Sequence, residues 1–346
     1  MARVTLQTIA DEVGVSRMTV SNAFSRPDQL SGELRARVLA AAERLGYAGP
    51  DAAARALTRG RTGVVGMLLE TSPFDAFVDE VSVGFMRAAA AGLADAGYSL
   101  ALLHSNRSGD IVPTRDVAMD GAIVYSCAPQ SEGVGDLLRR RLPIVRVEGL
   151  PIEGVASVAL DDEGGARAAA QHLLDLGHRD IAIVAGGIDA DGRPLHDPPA
   201  SDYSVTRGRL AGWYAALQAA DVVPRIVATG ATSVDDALRA RIRELLAAPP
   251  TAVLCWSDLA AVEVLEAARE AGLSVPADLS VVGFDDVPLA SRVTPPLTTV
   301  RQDLDAKGDA AVRALLSMLD GGAPEAVPPL ATTLVVREST APPRAS

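Results

Sequence analysis

The 346-residue chain has almost no lysine: Lys307 is the only one, so nearly every positive charge is a guanidinium. Aromatic residues make up only 3%, which leaves alanine, valine and leucine to supply most of the packing. Two cysteines, Cys127 and Cys255, form neither a disulfide framework nor a thiolate metal site. Both end apolar, strand-like runs, where buried reduced thiols are expected. No apolar run reaches the roughly eighteen residues of a membrane-spanning helix. Residues 1–7 turn polar without the apolar stretch of a signal peptide, so the expected compartment is the cytoplasm. His104, His172, His178 and His196 are scattered, so no metal site is expected. Gly-x-Ser-x-Gly, His-Glu-x-x-His and a lysine-bearing phosphate loop are all missing, and neither catalysis nor a cofactor is expected. The carboxylate groups Asp161-Asp162-Glu163 and Asp285-Asp286 suit capping, solvation or binding better than catalysis.

What is present is unevenly distributed. The formal charge of −12 argues against nucleic acid as a partner, yet residues 1–62 hold nine arginines and six acids, a net of +3. The remainder carries −15. Such asymmetry points to a nucleic-acid-facing end joined to a body with another task. Without lysine there, phosphate contacts fall to arginine, hydroxyls and backbone N–H groups.

Leu6, Ile9, Ala10 and Val13 keep helical spacing after Thr5, a candidate N-cap. Gly14 interrupts, and Ser16 caps a second helix, 17–24. Ser31 caps a third, about 33–45, which Gly46 stops. Two short helices around a glycine turn, backed by a third, describe a helix-turn-helix. Arg17, Met18 and Asn22 project opposite Val20 and suit guanine, a thymine methyl and adenine in a major groove. Ser16, Thr19 and Ser21 are short hydroxyl donors suited to phosphates.

Residues 4–22, with Ile9-Ala10-Asp11-Glu12-Val13-Gly14-Val15-Ser16 at their centre, resemble the opening signature of the LacI/GalR transcriptional regulators. The likeness continues through Arg37-Val38-Leu39-Ala40-Ala41-Ala42-Glu43-Arg44-Leu45-Gly46-Tyr47. It places the family's base-reading positions on Arg17, Met18 and Asn22; many relatives carry arginine where Asn22 stands. After Tyr47, Pro50 and Asp51 can start a short helix that ends by Gly60. A segment so short is either a plain linker or, as the resemblance implies, a hinge helix that folds on DNA. In the latter case Leu57 wedges into the minor groove and Ala54 lets two such helices pack.

From residue 63 the pattern changes. Apolar runs at 64–69, 100–104, 122–125, 144–147, 181–185, 226–228, 252–255 and 279–284 alternate with helical stretches such as 81–96, 166–176, 207–220, 234–247 and 259–271. Alternation of this kind predicts parallel sheets flanked by helices, and the length favours two lobes across a cleft. The resemblance extends along Gln171-His172-Leu173, Arg209-Leu210-Ala211-Gly212-Trp213, Trp256-Ser257-Asp258 and Gly283-Phe284-Asp285-Asp286, to about Val336. It implies a small all-α helix-turn-helix head plus an α/β two-lobed body like the periplasmic binding proteins. The expected domains are 1–48, a hinge or linker at 49–62, and an effector-binding and dimerising unit at 63–340.

Position by position, the resemblance marks Arg209 and Asp285 as effector contacts. A surface or lobe-linking salt bridge for Arg209 and a helix or turn cap for Asp285 are the plainer readings. Ser257 replaces a common asparagine. Near Thr232, where relatives often place a stacking aromatic, either Trp256 or Trp213 substitutes or nothing does. Phe74 and Glu148 are weaker first-lobe candidates. The segment 105–120 is shorter than the family's usual crossover. The expectation is a cytoplasmic regulator, a repressor, that binds a near-palindromic double-stranded operator as a homodimer or higher oligomer, is controlled by a small effector such as a sugar, and has no membrane partner. The rival is a cytoplasmic sugar-binding or sugar-processing protein with an N-terminal interaction module.

Overall fold

A computed structural model describes residues 4–47, 49, 56, 60–69, 73–104, 110–125, 131–188, 190–231 and 233–344. The chain divides into two compact units, Met1–Gly63 and Val64–Ser346. Among the described residues no helix is long and apolar enough to cross a membrane.

In the first unit, helix α1 (Leu6–Val13) opens on a reciprocal cap, in which Thr8 N–H donates to Thr5 Oγ1 and Thr5 N–H to Thr8 Oγ1, each at 3.3 Å. Gly14, at φ 75°, ends it in the left-handed region. Ser16 Oγ accepts from Thr19 N–H at 3.0 Å and starts α2 (Arg17–Ser25). Ser31 does the same for α3 (Gly32–Arg44). The three helices close on Ile9, Ala10, Val20, Ala23, Val38, Ala41 and Ala42. Four of these seven are alanines, which lets short helices approach without large side chains.

The second unit is two lobes. Strands β1 (Val64–Leu69), β2 (Ser99–His104), β3 (Gly121–Tyr125), β4 (Ile144–Val147) and β5 (Ala156–Val158) form a parallel sheet in the order β2-β1-β3-β4-β5. Strands β6 (Ile181–Gly186), β7 (Ala190–Pro194), β8 (Arg225–Thr229), β9 (Ala252–Cys255) and β10 (Ser280–Val282) form the other, ordered β10-β9-β6-β8-β7. The expectation of parallel sheets needs one correction here: β7 runs antiparallel to β8. It returns directly from β6 with no helix between them, and parallel pairing requires a long crossover. A separate antiparallel pair, β11 (Thr299–Arg301) and β12 (Thr333–Val335), lies on the segments that join the lobes. After β11 the chain returns to the first lobe, where helix Leu304–Leu319 buries Ala310, Ala311, Val312 and Leu315 against the β1 core.

Two glycines set the close crossings that matter for the cleft. A Cβ at Gly212, on helix Ser204–Ala219, would lie 2.1 Å from Glu163 O, so this helix presses onto helix Asp162–Asp175. A Cβ at Gly308 would lie 2.4 Å from the Ala88 Cβ, so helix Leu304–Leu319 presses equally hard on helix Glu80–Asp95. Cys255 is a buried free thiol, and burial pushes it well above its ordinary range. Cys127 lies outside the described residues.

Candidate functional site

Two places combine polar chemistry with access. The first is α2. Arg17 and Met18 are exposed at its start, Met18 at 71%, which is uncommon for an apolar side chain of that size. Val20 and Ala23 hold the opposite side of the helix in the core. Asn22 is half-buried, and its Nδ2 donates to Gln29 Oε1 at 3.1 Å. Ser16 and Thr5 are exposed but already serve as N-caps, and Ser16 Oγ also lies 2.9 Å from Thr19 Oγ1. Ser21 is half-buried. Not every arginine in this unit is available to a partner. Arg35 donates to Ala23 O, Arg37 to Val13 O, and Arg44 pairs with Glu12. Ala54 and Leu57 lie outside the described residues.

The second place is a cavity of about 530 Å3 between the lobes, of a size that holds a small organic ligand. It opens where Leu69, Tyr125 and Glu148 end or follow β1, β3 and β4, facing Gly186 and Trp256 at the ends of β6 and β9. Open parallel sheets bind ligands at that edge because the chain leaves adjacent strands in opposite directions there.

Arg209 is the centre of the second-lobe wall. It is 3% exposed, and its guanidinium carbon lies over the Phe284 ring, 3.6 Å from the centroid. Its Nε donates to Asp162 Oδ1 at 3.0 Å, its Nη2 to Asp285 Oδ1 at 3.1 Å, and its Nη1 to the Trp256 carbonyl. The tight helix crossing at Gly212 is what brings Asp162 within reach. One guanidinium between two carboxylates leaves a charge uncompensated. Burial therefore pushes Asp162 and Asp285 up, with Arg209 pulling both down. Burial also works against the guanidinium, but Asp285 and Asp162 outweigh it and hold Arg209 protonated.

Asp285 sits at φ 112° and Glu148 at φ 55°. Both are non-glycine residues in the left-handed half of backbone space, a strain of about 1–3 kcal/mol each that concentrates at binding sites. Asp285 Oδ1 also accepts from Gln302 Nε2 at 2.7 Å, and Gln302 Oε1 accepts from Lys307 Nζ at 2.6 Å. Lys307 donates in turn to Glu148. A continuous chain of charged and amide groups thus runs from Asp162 to Glu148 across both lobes.

The cleft brings Glu148, Arg209, Trp256, Ser257 and Asp285 together. Ser257 caps helix Asp258–Glu270, its Oγ accepting from Ala260 N–H at 3.1 Å. Trp213 is in the core, away from the cavity lining. Phe74 falls in helix Pro73–Val78, but its side chain lies outside the described residues, as does Thr232. Sequence reasoning missed Asp162, Gln302, Lys307 and Tyr125. Lys307 carried a signal as the one lysine in a chain that otherwise uses arginine throughout, and Asp162 as part of a carboxylate run. Among the described residues no cluster of three or more histidine, cysteine or acidic side chains could hold a metal ion.

Comparison with known proteins agrees with both places. Residues 5–49 match the family described as bacterial regulatory proteins, lacI family, and residues 170–340 match the periplasmic binding protein-like domain. An HTH-type transcriptional regulator of Mycobacterium tuberculosis is 35% identical over 363 residues, covering 99% of this chain and 98% of its own. The solved lac repressor dimer bound to operator and the anti-inducer ONPF superposes with a TM-score of 0.79 at 27% identity, covering 98% of this chain and all of its own. A transcriptional regulator CelR–cellobiose complex gives 0.70 at 29% identity, covering 97% of this chain and 100% of its own.

Proposed function

Since the chain belongs to the LacI family of bacterial regulatory proteins, we propose that it works as a repressor whose grip on DNA is set by a small molecule in the lobe cleft. It is a DNA-binding transcriptional regulator. Arg17 and Met18, with Asn22 once Gln29 releases its amide, read base edges in the major groove. Thr5, Ser16, Thr19 and Ser21, with backbone N–H groups, position the helix on phosphates. Leu57 wedges into the minor groove and Ala54 packs against its counterpart in a homodimer, on a near-palindromic operator in the cytoplasm. The homologues' standing as regulators supports a binding role with no catalysis.

The single observation that carries the reading is a cleft with polar groups from both lobes in the same chain as an exposed, capped recognition helix. The effector is a sugar or a related polyol, as the cellobiose complex of CelR supports. Binding favours one lobe arrangement, and it changes DNA affinity only by its differential affinity for the two states, typically about 5–150-fold. Fluorescence anisotropy with genomic fragments tests the regulator reading. Sequence-selective, salt-sensitive binding is expected. Binding that ignores sequence would sink it.

A further inference from the structure

The chain's only lysine is 0% exposed and stands directly behind the effector cleft. Its ammonium lies 5.7 Å from the centroid of Tyr125 and 5.9 Å from that of Phe85, two rings stacked 4.5 Å apart. The close crossing at Gly308 fixes its helix against Ala88 and Ala89 of helix Glu80–Asp95, which also carries Phe85. Nζ spends its hydrogen bonds on Glu148 Oε1 and Gln302 Oε1. With its oxygen held by Lys307, the Gln302 amide must present its nitrogen to Asp285, as it does. Lys307 therefore orients Glu148 on the first lobe directly, and Asp285 on the second through one amide.

The charge balance of the cleft follows from the same contacts. Among the described lining residues Arg209 is the only cation, against Asp79, Glu80, Glu148, Asp202 and Asp285. Every nitrogen of the Arg209 guanidinium already donates to a protein acceptor. The Lys307 ammonium is taken up by Glu148 and Gln302. An incoming phosphate or carboxylate would find each cation already paired with a carboxylate, and several like charges beside it. Glu148 and Asp285 are already matched by Lys307 and Arg209, so neither calls for a cation from the ligand. What is open is acceptor capacity: among the described residues, Glu148 Oε2 and Asp285 Oδ2 receive no hydrogen bond.

Resting on the effector reading above, we propose that Lys307 is a positioning and specificity-determining residue. It holds one carboxylate of each lobe as an open acceptor for an uncharged, hydroxyl-rich effector, and by spending its own charge on them it excludes phosphorylated and acidic counterparts. A molecule that donates hydroxyls to both carboxylates ties the lobes together.

The test titrates the full chain with glucose, ribose and cellobiose, and with glucose 6-phosphate, ribose 5-phosphate and glucuronate, all at millimolar concentration. At least one uncharged sugar should raise the melting temperature and none of the charged ones should. No shift from any neutral sugar, or a larger shift from a charged counterpart, overturns the proposal. Lys307→Met should then weaken the best neutral sugar by about tenfold or more, the worth of one hydrogen bond to a charged group. Because that variant leaves Glu148 without its cation and can fail to fold, the charge-neutral pair Lys307→Met with Glu148→Gln is measured beside it, with the same loss expected. Unchanged sugar affinity in the folded variant overturns the role. Glu148→Gln alone releases the ammonium and should narrow the discrimination against the phosphate ester, which lost packing would not do. Unchanged discrimination overturns the charge argument. Operator binding by the wild type is read separately: a protein that selects its operator but ignores neutral sugars fails this proposal and not the regulator reading.

Discussion

The recognition helix and the cleft solve opposite problems. In the head the candidate side chains Arg17 and Met18 are exposed, and the caps that start their helices span three residues: Thr5 to Thr8, Ser16 to Thr19. In the body they are buried, and their partners lie 47, 76 and 159 positions apart. An exposed arginine such as Arg17 keeps its donors for a partner. A buried one such as Arg209 has to spend them on the protein or carry an uncompensated charge. The same residue type stands open to solvent in one unit and ties segments together in the other, and burial makes the difference.

The largest way to break that contrast is Arg209→Ala. It strands Asp162 and Asp285 in the interior, and the body should lose about 3–5 kcal/mol in denaturant unfolding, together with its effector response. A loss under about 1 kcal/mol would show that the carboxylates do not depend on the guanidinium. Arg17→Ala should do the reverse. Operator affinity should fall by about 1–3 kcal/mol while the unfolding of the body stays unchanged. An equal loss on non-operator DNA would reassign Arg17 to phosphate contact.

The smallest effect is a pH slope confined to one unit. His178 is buried between Thr251 and Ser280, and burial lowers its pKa from the ordinary 6.5. Burial lowers His172 as well. A lowered histidine stabilises the fold above its ordinary pKa, and that contribution is lost as pH falls through the folded value. Asp162, Asp258 and Asp285, pushed up by burial, slope the other way. The histidine contribution is therefore the difference between wild type and His178→Asn from about pH 7 to pH 5, at most about 1.4 kcal/mol per pH unit. The head has no histidine, so its melting should be indifferent to this substitution. A shift there would mean that the two units do not unfold independently.

Much of the fold was legible in the residues. Helices expected at 166–176 and 259–271 are found at Asp162–Asp175 and Asp258–Glu270, each starting earlier because a side-chain cap, Asp161 or Ser257, stands just before it. Strand runs at 64–69 and 144–147 match in full. The β7 reversal was not legible, since Ala190–Pro194 has no apolar run and is held by pairing with β8 alone. In the cleft, Arg209 and Asp285 stood out by motif. Their dependence on Asp162, Gln302 and Lys307 did not, because those residues look like an ordinary cap, a strand flank and a helix surface. Tyr125 looked like a strand end.

The sequence by itself determined the family, the three capped helices of the head and the α/β alternation of the body. Caps, helical spacing and strand runs act over a few neighbouring residues, where order in the chain is proximity in space. Only the tertiary structure decided that Asp162, Arg209, Asp285, Gln302, Lys307 and Glu148 form one line through the cleft. Charges enter an interior only when opposite charges meet them there. Which charges meet was settled by two close helix crossings, at Gly212 and Gly308, that no local pattern announces.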